Sequence, residues 1–173
     1  MDTGSIVLLS VCMLIALITD TTRMIIPNTL TVGGAAAGLL YHTTISGWEG
    51  FLFSFAGLAS GFGLLVLLYA FGGIGAGDVK LFGAIGAITG TLFVIECLMY
   101  SIIYGAFIGI LLFIIKKQLL YRISKIYYQM ISLMWADKVK IRWRNGSENQ
   151  YMQFPFMYAV FPAGLTSLYY AFM

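Results

Sequence analysis

Six apolar runs occupy most of this chain, at roughly Ser5–Thr19, Leu30–Ile45, Phe51–Phe71, Val79–Gly90, Leu92–Ile115 and Pro155–Phe172. A bilayer core about 30 Å thick takes about 20 helical residues to cross, so the runs predict an all-α, polytopic membrane protein built as a bundle of six transmembrane helices. The fourth run is short for a span, and its ends are expected to extend into the flanking turns. Composition excludes an ordinary soluble domain. Only 10% of residues are charged, against about 25% in soluble proteins, and 60% are apolar. The 173 residues allow one compact bundle, which predicts a single membrane-embedded domain over residues 1–173. The first run has no basic stretch before it and no small-x-small cleavage site after it. It reads as a retained span.

Charge gives the orientation. Arg23 follows the first run, Lys80 opens the fourth, and Lys116, Lys117, Arg122, Lys125, Lys138, Lys140, Arg142 and Arg144 all lie between the fifth and the sixth. With six spans every basic residue falls on one side, and the positive-inside rule makes that side cytoplasmic and both termini external. Five or seven spans would put basic residues on both faces. The cytoplasmic loop, about 116–152, carries Leu119, Ile123, Ile126, Tyr127, Met130, Ile131 and Met134 at helical spacing, with Lys117, Arg122 and Lys125 between them. This predicts an amphipathic helix on the membrane surface, either anchored to anionic lipid or helping to dock a substrate tail. No nucleic-acid partner is expected, because topology accounts for the basic patch.

Three pairs of glycines recur at a spacing of four, Gly34 and Gly38, Gly57 and Gly61, and Gly105 and Gly109, and Gly83, Gly86 and Gly90 line the fourth run. Small residues let helix backbones approach in lipid, so tight packing within the bundle is expected. Cys12 and Cys97 lie inside apolar runs, form no C-x-x-C, and read as small hydrophobes. The one histidine, His42, and Glu96 fall near the external ends of their runs and read as packing or interface groups. No metal-ligand cluster is present in the sequence, which argues against a zinc protease, and no metal or cofactor is expected.

The stretch Gly75-Ala76-Gly77-Asp78-Val79-Lys80 puts a carboxylate and an ammonium at the edge of an apolar run. Charge there is costly and marks a functional site by default. Gly75 and Gly77 let the backbone take φ > 0 or admit another chain beside Asp78. Asp20 ends the first run on the same side of the membrane, so topology brings two acids to one depth. Two adjacent carboxylates share a proton, one member acting as acid and the other as base, which equips an aspartic protease. The sequence leaves the two roles unassigned. A small proton-coupled transporter or channel would use Asp20 and Asp78 as relay groups instead, and a non-catalytic scaffold would use them for no chemistry.

In its full context, Gly75-Ala76-Gly77-Asp78-Val79-Lys80-Leu81 resembles the G-x-G-D-x-K-L motif of the type IV prepilin peptidases, membrane aspartic proteases of the GxGD class. Asp20 with Ile26-Pro27-Asn28 following is similar to that family's other signature, and Pro155-Phe156-Met157-Tyr158-Ala159 is similar to the segment opening its last helix. The resemblance implies catalytic roles for Asp20 and Asp78, with Gly75 and Gly77 as motif glycines. It also implies cleavage of a basic leader from pilin-like precursors at the cytoplasmic membrane face. Lys80 has two readings, a charge-assisted hold on a carboxylate or a positive-inside anchor. Arg23 reads as an anchor. Pro27 is expected to stop the Asp20 turn from continuing as helix, and Asn28 to cap the second span. The longer bifunctional members carry paired C-x-x-C motifs and also methylate the new N-terminus; without those cysteines, methyl transfer is not expected here. The motif of presenilin and signal peptide peptidase places its first acid in a Tyr-Asp pair, whereas Thr19 precedes Asp20.

Overall fold

A computed structural model describes residues 2–70, 74–115 and 156–172. The predicted amphipathic helix of the 116–152 loop lies outside the described residues. The chain forms helices α1 (Thr3–Arg23), α2 (Asn28–Ala70), α3 (Ala76–Thr89), α4 (Thr91–Ile115) and α5 (Met157–Phe172). Two compact units are distinguished. The larger comprises Met1–Gly105 and Phe154–Met173; of the smaller, Ala106–Gln153, the described part is the end of α4. Among the described residues three helices are long and apolar enough to cross a membrane: α1, α2 and the Thr91–Leu112 portion of α4.

The 43 residues of α2 are twice what one crossing needs. Gly47 resolves this. Its φ of 59° and ψ of −132° break the helix at a conformation that side chains oppose. The arms on either side meet α3 in opposite senses. On the first, Gly34 faces Ala84 and Gly38 faces Ala87; on the second, Gly57 faces Gly86 and Gly61 faces Phe82. The arms therefore run antiparallel, with α3 against both. The reversal falls at Gly47, in the gap between the second and third apolar runs.

α3 is buried on every side. From Val79 to Thr89 only Lys80 is exposed, so the helix is apolar all round, as a central helix must be. Its 14 residues rise only about 21 Å, less than the bilayer core. Backbone packing holds it. A Cβ on Gly57 would collide with the carbonyl oxygen of Gly86, and one on Gly86 with that of Gly57. Two of the three glycine pairs thus serve packing within the chain; at Gly105 the neighbours, Phe156 and Ala159, lie at ordinary contact distance.

The C-terminal end of α3 is buried, and its last carbonyls need donors. Ser54 Oγ donates to Ala87 O at 2.6 Å, His42 Nε2 to Ile88 O at 2.8 Å, and Gly90 N to Gly86 O at 2.8 Å. Because a carbonyl only accepts, Nε2 of His42 carries a proton. His42 is thus a packing group, as expected, and its partner is the end of α3.

α1 buries one stripe, Ser5, Leu9, Cys12, Met13, Ala16 and Asp20, at helical spacing. Val7, Val11, Leu14 and Ile18 are exposed on its other faces, an apolar exterior suited to hydrocarbon. Gly57→Ala is expected to cost about 1–3 kcal/mol by overpacking, whereas Gly63→Ala, which meets nothing within 4 Å, is expected to be neutral or mildly stabilising. Thermal unfolding of the two variants in detergent checks the contrast. His42→Phe, which strands the Ile88 carbonyl, is expected to cost about 1–3 kcal/mol in the same assay.

Candidate active site

Asp20 is the last member of the buried stripe of α1. Its burial follows from helical register: four residues beyond Ala16, it faces the bundle and is 7% exposed. One turn later the helix stops. Met24 adopts the left-handed conformation with φ 51° and closes the turn with a bond from its N–H to the Asp20 carbonyl, 2.9 Å. The chain then passes through Ile26, which is buried, to Pro27.

Asp78 sits in the first turn of α3, where its N–H donates to Gly75 O at 3.1 Å. The linker after α1 packs directly on this turn, because Ile26 lies 3.4 Å from where a Cβ on Gly77 would be. That contact couples the α1 end to the α3 start. Asp78 precedes the apolar run and is half-buried. Burial first, and then the charge of Asp20, push its carboxyl up from 3.8 to about 6, with an opposing backbone hydrogen bond from Gly75. The charge of Asp20 therefore acts on Asp78. A pair in which one carboxyl holds its proton up to about pH 6 can exchange protons with a substrate from both members.

Of the two expectations for the motif glycines, positive φ and room beside Asp78, the backbone removes the first. Positive φ among the described glycines occurs at Gly47 and Gly90. Gly75 has φ −76° and ψ 150°, an extended conformation open to any residue, and Gly77 is helical. Their contribution is space. A Cβ on Gly75 would lie 3.2 Å from Asp78 Oδ2 and crowd the carboxylate.

Of the two readings of Lys80 the hold on a carboxylate is not seen, and Asn28 departs from its expected place before α2. Lys80 Nζ donates to Asn28 Oδ1 at 2.8 Å, so the ammonium holds an amide rather than a carboxylate. Asn28 is the first residue of α2 and does not precede it. The preceding residue, Pro27, supplies the carbonyl that accepts from Leu30 N at 3.1 Å and Thr31 N at 3.3 Å. The Lys80–Asn28 bond ties the start of α2 to the start of α3. Pro27 was expected to stop the Asp20 turn, but α1 has already closed at Met24 when the chain reaches Pro27, which lies between α1 and α2.

One partner of the site escaped sequence reasoning. Met157 N, the first N–H of α5, donates to Asp20 Oδ2 at 3.0 Å, and the bond is buried. A signal existed: the residues opening this helix, Pro155 and Phe156, have no side-chain oxygen to cap it. Two cavities lie elsewhere. One, about 380 Å³, is lined by Asp2, Ser5, His42 and Glu49 near the C-terminal end of α3. The other, about 400 Å³, is lined by Phe53, Glu96 and Tyr170. Neither includes Asp20 or Asp78. Among the described residues no group of three His, Cys, Asp or Glu side chains has the spacing to hold a metal.

Comparison with known proteins matches residues 7–114 to the type IV leader peptidase family. The chain is also 33% identical over 110 residues to a prepilin leader peptidase/N-methyltransferase of Bacillus subtilis (strain 168). That alignment covers 61% of this chain and 42% of the relative, so the chain matches about two fifths of the length of this curated protein. No solved structure matches. The matched region contains Asp20, the Ile26-Pro27-Asn28 turn and the whole Gly75–Lys80 stretch, and over that span the chain belongs to the type IV leader peptidase family.

Proposed function

We propose that this chain is an aspartic endopeptidase of the membrane that removes basic leader peptides from type IV prepilin-like precursors, including preflagellins and pseudopilins. The observation that carries the reading is geometric: the linker that follows Asp20 packs through Ile26 on the turn of α3 that bears Asp78, and both acids lie in the region matched to the family. The proposal includes six spans, with the arms of α2 and the short α3 counted separately, in one peptidase domain. It puts the protein in the cytoplasmic membrane with both termini external and the acids facing the cytoplasm. The distribution of Lys and Arg supports that orientation. The partners are the precursors and the lipid bilayer; peptide-bond hydrolysis is the whole of the proposed chemistry.

In the proposed mechanism Asp78 holds the shared proton and Asp20 is the base. Asp20 takes a proton from water as the water oxygen bonds to the scissile carbonyl carbon. Asp78 gives its proton to the carbonyl oxygen, forming a gem-diol. Collapse of that intermediate breaks the C–N bond, the proton held by Asp20 passes to the departing nitrogen, and Asp78 regains its proton from the diol. Space beside Gly75 suits an extended substrate strand next to Asp78.

Asp20→Asn and Asp78→Asn are each expected to abolish leader removal while the purified variants unfold at the wild-type temperature. The check is mass spectrometry of candidate precursors co-expressed with each variant. Substantial cleavage by either variant defeats the dyad. Proton flux into liposomes that needs both acids, with every precursor left intact, would instead establish a transporter.

Because the folded carboxyl of Asp78 lies above its ordinary value, the one-proton pair is lost as pH rises through about 6. Cleavage is expected to decline on that side of the profile. A protonated-carboxyl band in infrared difference spectra should titrate near pH 6 and vanish in Asp78→Asn. In Asp20→Asn its midpoint should move down, since a neighbouring charge is gone. It should stop above 3.8, because burial, the larger cause, remains.

A further inference from the structure

We infer that the N-terminus of α5 is a positioning element for Asp20, acting through the backbone N–H of Met157. The inference rests on the peptidase reading and adds to it a residue that neither acid motif contains. Phe156 O accepts from Ala159 N at 2.9 Å and Val160 N at 3.2 Å, so Phe156 is the residue preceding the helix and Met157 is its first member. The first N–H groups of a helix have no partner within it. In most helices a Ser, Thr, Asp or Asn just before the first turn supplies an acceptor. Phe156 has no such atom. Asp20, 137 positions away in sequence, supplies it instead, in a bond of 3.0 Å that is buried.

The register of α5 on α1 makes this contact specific. Gly164 lies against the Met13 side chain, where a Cβ would collide with the methionine sulfur at 2.7 Å. Between Gly164 and Met157 there are seven steps, and between Met13 and Asp20 also seven. Two helices rising equally per residue and running in opposite directions therefore meet at both points. Met157, Ala159, Val160 and Ala163 are all fully buried, so α5 is held by packing and not by the Asp20 bond alone. The bond occupies Oδ2 and fixes the rotation of the carboxyl, leaving Oδ1 for the reaction. Proton transfer depends steeply on such placement, and a shift of about 1 Å costs about 100-fold.

Proline at the first position of a helix keeps the helix and deletes only the N–H. Met157→Pro therefore removes the bond, and Met157→Leu keeps it while conserving volume. Met157→Pro is expected to lower kcat for a prepilin about 10- to 100-fold with KM within about twofold, while Met157→Leu keeps near wild-type kcat. Equal losses in both variants would reduce the contact to packing and overturn the inference, as would a kcat for Met157→Pro within about twofold of that of Met157→Leu. A second measurement does not depend on catalysis. In ¹⁵N-labelled protein in detergent, the Met157 amide should be protected from hydrogen exchange and lose most of that protection in Asp20→Ala, with the amides of Val160 and Ala163 unchanged. Equal protection with and without the carboxylate overturns the bond itself. If wild type cleaves no precursor while this protection behaves as expected, the peptidase reading fails and takes the catalytic role of the bond with it.

Discussion

The contact of α3 with both arms of α2 is the constraint on which the rest of the structure depends. In lipid, apolar surface gives helices little reason to associate, so the gain must come from close packing. Gly57 and Gly86 meet backbone to backbone, and Gly38 and Gly61 meet carbonyls of α3 on either side of that point. A helix gripped at several levels cannot slide along its axis. That fixes the depth of its first turn, and with it the depth of Asp78.

Burying a short helix leaves polar ends that water cannot reach, and the fold answers with side chains from other helices. His42 and Ser54 close the C-terminal end of α3. Asp20 does the same for the N-terminus of α5. Lys80, by contrast, meets Asn28 in an exposed bond that ties two helix starts together. Many Ser and Thr hydroxyls bond a carbonyl of their own helix, whereas His42, Ser54 and Asp20 serve a buried end of another. The chemistry proposed at the candidate site draws on burial too: half-buried at a helix start, with the charge of Asp20 acting on it, Asp78 releases its proton at a higher pH than it would in water.

The glycines show that a missing Cβ can serve two different ends. Gly75 and Gly77 invite an account based on positive φ, yet one is extended and the other helical. Their value is the volume that they leave empty beside Asp78 and Ile26. At Gly47, which belongs to no motif, conformational freedom is what the backbone uses. Only the path of the chain separates these cases, since a missing Cβ serves both.

By itself the sequence determined the helical class, the apolar runs and the pairing of Asp20 with Asp78 as the residues of interest. Each follows from local chemistry: hydrocarbon demands long apolar helices, and a carboxylate at their edge is too costly to be idle. The glycine spacing also announced close packing before any partner was known. Tertiary structure alone decided which surfaces the glycines join, that Lys80 holds Asn28 rather than an acid, and that Pro27 rather than Asn28 supplies the first acceptor of α2. It also decided that Asp20 caps α5 from 137 residues away. Those pairings depend on the register between helices, which is set by side-chain volume across an interface and leaves no periodic trace along the chain. The stretch Gly75–Lys80 could therefore be read for its charge, but not for the Asn28 amide that its lysine meets.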